Sequence, residues 1–169
     1  MIHVKHVIKY INYILKHKWY VFLECCKLGI LWQGITHDLS KFSRKEFIPY
    51  MKKYTIGLKD EKTDSDFCEA WHHHIAKNPH HWEHWTYLEV SETPNGEQDK
   101  ENIAIKMPKR YVKEMLADWR AMSKTFGQKT IIEWYEKNIT KMVLHNETLQ
   151  ELYKLFTIEE VSEIMKNKC

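Results

Sequence analysis

The chain has 169 residues, 43% hydrophobic and 29% charged, enough for one compact domain that buries about 70% of its extended surface without covalent staples. Its four cysteines, adjacent at Cys25 and Cys26 and with Cys169 at the C-terminus, lack the spacing of a disulfide scaffold or zinc ribbon, which implies a reduced, cytoplasmic setting. A net charge of +3 with acids and bases interspersed offers no stripe for duplex nucleic acid, and no apolar run approaches the roughly 20 residues of a membrane span.

Residues 3–28 carry apolar side chains at three- and four-residue steps, among them Val7, Tyr10, Ile14, Val21 and Leu28, and predict one long helix ended near Gly29. A short apolar turn, Ile30 to Thr36, leads into HDLSKFSRKEF. There Ser43 and Glu46 have capping-box spacing for a helix that fades around Tyr54. The polar stretch TIGLKDEKTDSD reads as a loop, and helical spacing returns from Asp66 to Lys77. Asn78 and Pro79 punctuate the chain, Asn as a cap and Pro as a first helical residue, so a further helix is expected from Pro79 to about Glu89.

SETPNGEQDKEN has two breakers and no apolar period, which predicts a polar loop excursion near 91–104. Pro108 opens a strongly amphipathic helix through Phe126, ended by Gly127, and Thr130 with Glu133 and Thr157 with Glu160 repeat the capping spacing. No run alternates with period two long enough to suggest a sheet. The expected fold is a single all-α domain over 1–169, a helical bundle.

The unusual composition is 11 His and 7 Trp. His17 shares the apolar face of Ile14 and Val21, with Tyr10 and Glu24 on nearly the same stripe, where they would orient the imidazole or line a cavity. A core histidine bonded to one acid or carbonyl is the plain alternative. His37 and Asp38 are neighbours at an element end, where both side chains can converge on one cation. Asp118 projects from the apolar face that holds Tyr111, Met115 and Met122, so it needs a cation or strong donors opposite. Arg110, Lys113, Arg120 or a cross-helix base is one solution; a metal held with His17, His37 and Asp38 is the other.

AWHHHIAKNPHHWEHW is the densest chemical signal. Phe67, Trp71 and His74 form one stripe, which turns His74 inward and leaves His72 peripheral. His81 shares a face with Trp85 and Leu88, while His80 and His84 fall off it. His74 and His81 can hold a second ion, bind phosphate or move a proton, since an imidazole titrates near 6.5; packing as an amphipathic rim is the innocent reading. Trp32, Trp71, Trp82, Trp85 and Trp119 supply more aromatic surface than packing needs, and one or two of them could stack on a base.

His17, His37-Asp38 and Asp118 together resemble the His…His-Asp…Asp signature of HD-domain metal-dependent phosphohydrolases, and Asp38-Leu-Ser-Lys41 is similar to their post-HD segment. HDLSKFSRKEFIPY, AWHHHIAKNPHHWEHW and ADWRAM more closely resemble an uncharacterised family of small bacterial and phage proteins, over about residues 10–145. The HD resemblance implies His17, His37, Asp38 and Asp118 as ligands of a first metal, and His74 and His81 as holders of a second. It implies an HD-domain-like fold and hydrolysis of a nucleotide or other small phosphate ester with one or two divalent ions. Mn, Fe, Zn or Co suit mixed N/O donors.

Asp38, Lys41, His74 and His81 are then the candidate catalytic residues, with Lys41 on a phosphate oxygen. Asn78 and Trp82 are candidate ligand contacts, although a helix cap is the simpler account of Asn78. No glycine-rich phosphate cradle and no serine elbow is present. A non-catalytic metal- or nucleotide-binding or sequestering protein and a structural helical interaction protein are the alternatives. A homodimer through an exposed aromatic face or the C-terminal segment is left open.

Overall fold

The computed structural model describes residues 3–92, 95, 98–127 and 130–167; Cys169 and parts of the 91–104 excursion lie outside the described residues. The described chain is a mostly helical bundle: α1 (Val4–Lys27), α2 (Leu31–Thr36), α3 (Arg44–Tyr50), α4 (Glu61–Lys77), α5 (Lys109–Thr125), α6 (Ile132–Asn138), α7 (Asn146–Leu155) and α8 (Ile158–Asn167). A two-stranded ribbon, β1 (Thr86–Glu92) and β2 (Gln98–Ala104), lies between α4 and α5.

The long helices form where the apolar period places them. α1 is capped at Leu28, and Gly29 follows at φ +69, a conformation that only glycine takes at little cost. α5 follows Pro108 and is closed by Gly127 at φ +75. These two helices pack through small residues, with Val21 and Cys25 of α1 against Ala117 and Ala121 of α5. A second core surrounds Leu116, Trp119, Ile132, Tyr135 and Leu152; a third joins Tyr10 and Ile14 to Tyr50, Met51 and Ala70. α2 lies close on α1 because position 34 has no side chain. A Cβ there would sit 2.9 Å from Cys25 Cβ and 3.1 Å from the Phe22 Cα.

Three expectations are corrected. The helix expected over Pro79–Glu89 is instead a 3₁₀ turn, Trp82–Trp85, running into β1, and the polar excursion supplies β2. The strands pair antiparallel from Thr86 opposite Ala104 to Glu92 opposite Gln98. Nearly every residue of the ribbon is exposed on both faces, so burial imposes no period-two pattern and the sequence carries no amphipathic signal of a strand. The TIGLKDEKTDSD stretch is not all loop: Met51–Ile56 is a π-helical turn, and α4 begins at Glu61, capped by the Asp60 side chain on the Thr63 N–H at 2.8 Å.

Of the capping boxes, only the last forms. The Thr157 N–H donates to Glu160 at 2.7 Å, and the Glu160 N–H donates to Thr157 Oγ1 at 3.2 Å. Ser43 makes no cap hydrogen bond, because Glu46 is turned inward and used elsewhere. Thr130 donates to Glu163 rather than pairing with Glu133.

Candidate metal centre

α1, the α2 end, α4 with the turn after it, and α5 each send polar side chains into one buried region. His17 comes from the inner stripe of α1. Lys18, its neighbour, donates to the backbone carbonyls of Ile35 at 3.3 Å and of His37, tying the end of α2 to α1. The helix breaks at His37, and Asp38 takes a left-handed backbone, φ 53 and ψ 26, the one non-glycine residue with positive φ among the described residues. That reversal is what allows two sequence neighbours to point inward together. Glu114 and Asp118, one turn apart on α5, close the opposite side.

The distances are those of a ligand cluster. His17 Nε2 is 2.9 Å from Asp118 Oδ1, and His37 Nε2 is 3.7 Å from that same oxygen and 3.4 Å from Asp38 Oδ2. Asp38 Oδ1 is 3.5 Å from His74 Nε2 and 3.6 Å from His80 Nε2. His74 Nε2 and His81 Nε2 are 2.9 Å apart. Three overlapping sets place donor atoms within 4.8 Å of one another: His17, His37 and Asp38; His37, His80 and Asp118; and Asp38, His74, His80 and His81. Asp38 belongs to the first and the last.

Whether these residues suit a cation is tested by their hydrogen bonding. His17 Nε2, His37 Nε2, His80 Nε2 and Asp38 Oδ1 are buried and have no hydrogen-bond partner. Four such atoms aimed at one region would be costly if nothing cationic belonged there. The 2.9 Å His17–Asp118 approach is out of hydrogen-bond alignment, as expected for two lone pairs facing a shared ion. The outer nitrogens of His37, His80 and His74 are, by contrast, backed by carboxylates, whereas His17 Nδ1 is buried without a partner. Glu114 Oε1 lies 3.0 Å from His37 Nδ1 and 3.3 Å from His80 Nδ1, and Glu46 Oε2 lies 2.8 Å from His74 Nδ1. Carboxylates behind the imidazoles fix the tautomer that presents Nε2 inward.

Asp118 therefore faces histidines, not an arginine. Arg120 pairs with Glu160 at 2.6 Å, Lys113 donates to the Leu28 carbonyl at 2.7 Å, and Arg110 lies over the Tyr111 ring. Lys41 is 2.6 Å from Asp38 Oδ2 and only 15% exposed, not a solvated loop lysine. Glu24 of the inner stripe bonds Lys27 and Lys124 and takes no part; Tyr10 lines the adjoining cavity. Asn78 is the C-terminal cap of α4 rather than the N-cap of a helix from Pro79, and its amide donates to Ser40 Oγ at 2.7 Å and to the His74 carbonyl at 2.8 Å. His72 is peripheral and exposed, as expected.

The electrostatics follow from this crowding. Burial works against a charged His37, but the carboxylates of Asp38, Asp118 and Glu114 outweigh it and raise the imidazolium to about 10. Burial alone would raise the Asp38 carboxyl, yet His37, Lys41, His74 and His80 hold it well below the usual carboxylate range. Asp118 is likewise held low by His17 and His37 against its burial. Burial, helped by His37, lowers His80. Burial with His80 and His74 lowers His81 further, leaving these two imidazoles neutral and able to donate a lone pair.

The structure brings His17, His37, Asp38, Asp118, His74 and His81, the ligand candidates of the sequence, into one region, and with them His80, Glu114 and Ser40, which the sequence did not single out. His80 was lost because it sits in irregular backbone after Pro79, where helical facing says nothing. Glu114 was readable: it precedes Asp118 by four residues on one face. Glu46, whose spacing suggests a cap while its nearness to His37-Asp38 leaves a role behind the cluster open, takes the latter: it accepts from Ser40 at 3.0 Å and from His73 at 2.7 Å as well as backing His74.

The fold and cluster define a mostly helical protein with buried His and Asp groups that can coordinate a metal ion. Its sequence matches, over residues 6–158, the model of a family of unknown function, DUF5662, and the chain belongs to that family. Comparison with curated proteins and with solved structures finds no match.

Proposed function

We propose that this chain is a divalent-metal-dependent phosphohydrolase that releases phosphate from a nucleotide or other small phosphate ester. The observation that carries the reading is the convergence of unpaired, buried donors, His17 Nε2, His37 Nε2, His80 Nε2 and Asp38 Oδ1, beside the ammonium of Lys41. The order His17, His37-Asp38, Asp118 resembles the HD-domain arrangement and supports the same reading. His17, His37, Asp38 and Asp118 would hold one ion; His74, His80 and His81, with Asp38 shared, would hold another. Such an ion polarises a phosphoryl oxygen and lowers the pKa of water to near neutrality.

The chain's own residues do the rest. Lys41 offers a point charge to a nonbridging oxygen once the phosphate competes for its ammonium with Asp38. Glu114 and Glu46 keep the imidazole rings in register. The reaction forms one P–O bond to the oxygen of water and breaks the ester P–O bond; the departing oxygen takes up a proton, giving inorganic phosphate and an alcohol. Mixed nitrogen and oxygen donors favour Mn, Fe, Co or Zn over Mg.

The test is an elemental analysis of protein loaded with each ion, followed by phosphate release from a nucleotide and phosphoester panel. Retention of at least one ion per chain is expected, with turnover that Asp38→Asn and Asp118→Asn both abolish. Failure to retain any divalent ion, or undiminished turnover in Asp38→Asn, would refute it.

A further inference from the structure

A cavity of about 790 Å³ opens from the cluster, lined by Tyr13, Tyr54, Trp82, Trp119, Met122 and Trp134 among others. That size lies in the upper part of the 300–1,000 Å³ range of pockets that bury a whole organic ligand, far more than a phosphate ion fills. Its walls are aromatic rings and thioethers. Three large rings at its margin are open to solvent: Phe126 is 67% exposed, Tyr54 66% and Trp134 38%. Exposed apolar surface gathered at the edge of one cavity marks a place that a ligand covers.

The charge inventory is sparse. The lining cations are Lys41, already 2.6 Å from Asp38, and the exposed Lys9 and Lys141; Glu83 and Asp118 line the same cavity with the opposite sign. None of the chain's three arginines lines it: Arg120 is held by Glu160, Arg110 lies on Tyr111, and Arg44 is exposed on α3. A polyphosphate lying along these walls would lose water from several anionic oxygens without gaining the bidentate donors that bind such groups.

The geometry points to a phosphate monoester of a large, flat aromatic alcohol as the ligand of this cavity, with the single phosphate at Lys41 and the histidine cluster and the ring system stacked among the wall aromatics. Polyphosphates and small aliphatic phosphates are the classes it discriminates against. This assignment rests on the reading that the cluster end of the cavity receives a phosphoryl group.

Binding is measured first and turnover second, on the full metal-loaded chain, so that the two readings can fail separately. Quenching of tryptophan fluorescence by 1-naphthyl phosphate, competed by glycerol 1-phosphate, a nucleoside monophosphate and its triphosphate, gives the affinities. Naphthyl phosphate is expected to bind at least 100-fold tighter than glycerol phosphate, and the nucleoside monophosphate at least 10-fold tighter than the triphosphate. Phe126→Ala or Tyr54→Ala, two-thirds exposed and so compatible with folding, should each cut the naphthyl-to-glycerol selectivity by about 5- to 150-fold, the range that stacking on one aromatic side chain spans. Tight naphthyl phosphate binding without phosphate release would uphold the ligand class while refuting hydrolysis. A preference for the triphosphate, equal binding of naphthyl and glycerol phosphates, or selectivity untouched in both ring variants would overturn the assignment.

Discussion

Asp38 joins a backbone requirement to an electrostatic one, and substitution separates them. Its left-handed backbone, φ 53, suits asparagine but costs alanine about 1–2 kcal/mol. Its carboxylate is 2.6 Å from Lys41 and 3.4–3.6 Å from the rings of His37, His74 and His80. Taking one partner out of a buried charge pair costs about 3–5 kcal/mol, because the other charge is left without a counterion. In chelator, Asp38→Asn should therefore lose about 3–5 kcal/mol, and Asp38→Ala about 1–2 kcal/mol more, at an unchanged urea m-value. The assay is urea unfolding followed by far-UV circular dichroism at pH 7. Coincident midpoints for the Asn and Ala variants would refute the backbone argument. An Asn variant as stable as the parent would refute the claim that this carboxylate neutralises Lys41 and the surrounding imidazoles.

Gly34→Ala should lose about 1–3 kcal/mol in thermal unfolding, since its new methyl meets Cys25 Cβ and the Phe22 backbone at 2.9 and 3.1 Å and would push α2, with His37 at its end, off α1. Glu114→Gln should weaken divalent-ion affinity about 10- to 100-fold by calorimetric titration, because one oxygen orients both His37 and His80; an unchanged isotherm would deny it that role. The Glu160 carboxyl, which burial alone would raise, is held below its usual range by Arg120 and by the Thr157 N–H. Its contribution is therefore fully present above the unfolded value near 4.5 and is lost as pH falls through the lower folded value; the stability gap between the parent and Glu160→Gln should be widest at neutral pH and close in acid. Thr157→Ala should cost about 1 kcal/mol in chemical unfolding by removing one half of the capping box that Thr157 and Glu160 form.

Sequence and structure agree best on the two long helices that carry a continuous buried stripe, α1 and α5. The apolar period of α1 and α5, and the glycines that end them, were legible because burying a stripe at 3.6-residue spacing is a local demand written in every turn. The same logic put His17 and Asp118 on inner faces and turned His74 rather than His72 inward. It failed at Pro79–Glu89, where an exposed ribbon leaves no burial pattern to read, and at Ser43 and Glu46, where the spacing of a cap was genuine but Glu46 had a stronger claim on it from His74.

By itself, then, the order of residues determined the helical class, the inward-facing stripes and most of the ligand-type side chains, because each is a property of one segment and its own period. Only the tertiary structure decided that α1, the α2 break, the turn after α4 and α5 meet at one point, that His80 joins them and that Glu114 stands behind two of the rings. Those are relations between segments up to about a hundred residues apart, such as His17 and Asp118 at 2.9 Å, and they are set by the packing of α1 on α5 and by one left-handed residue, which no local pattern encodes.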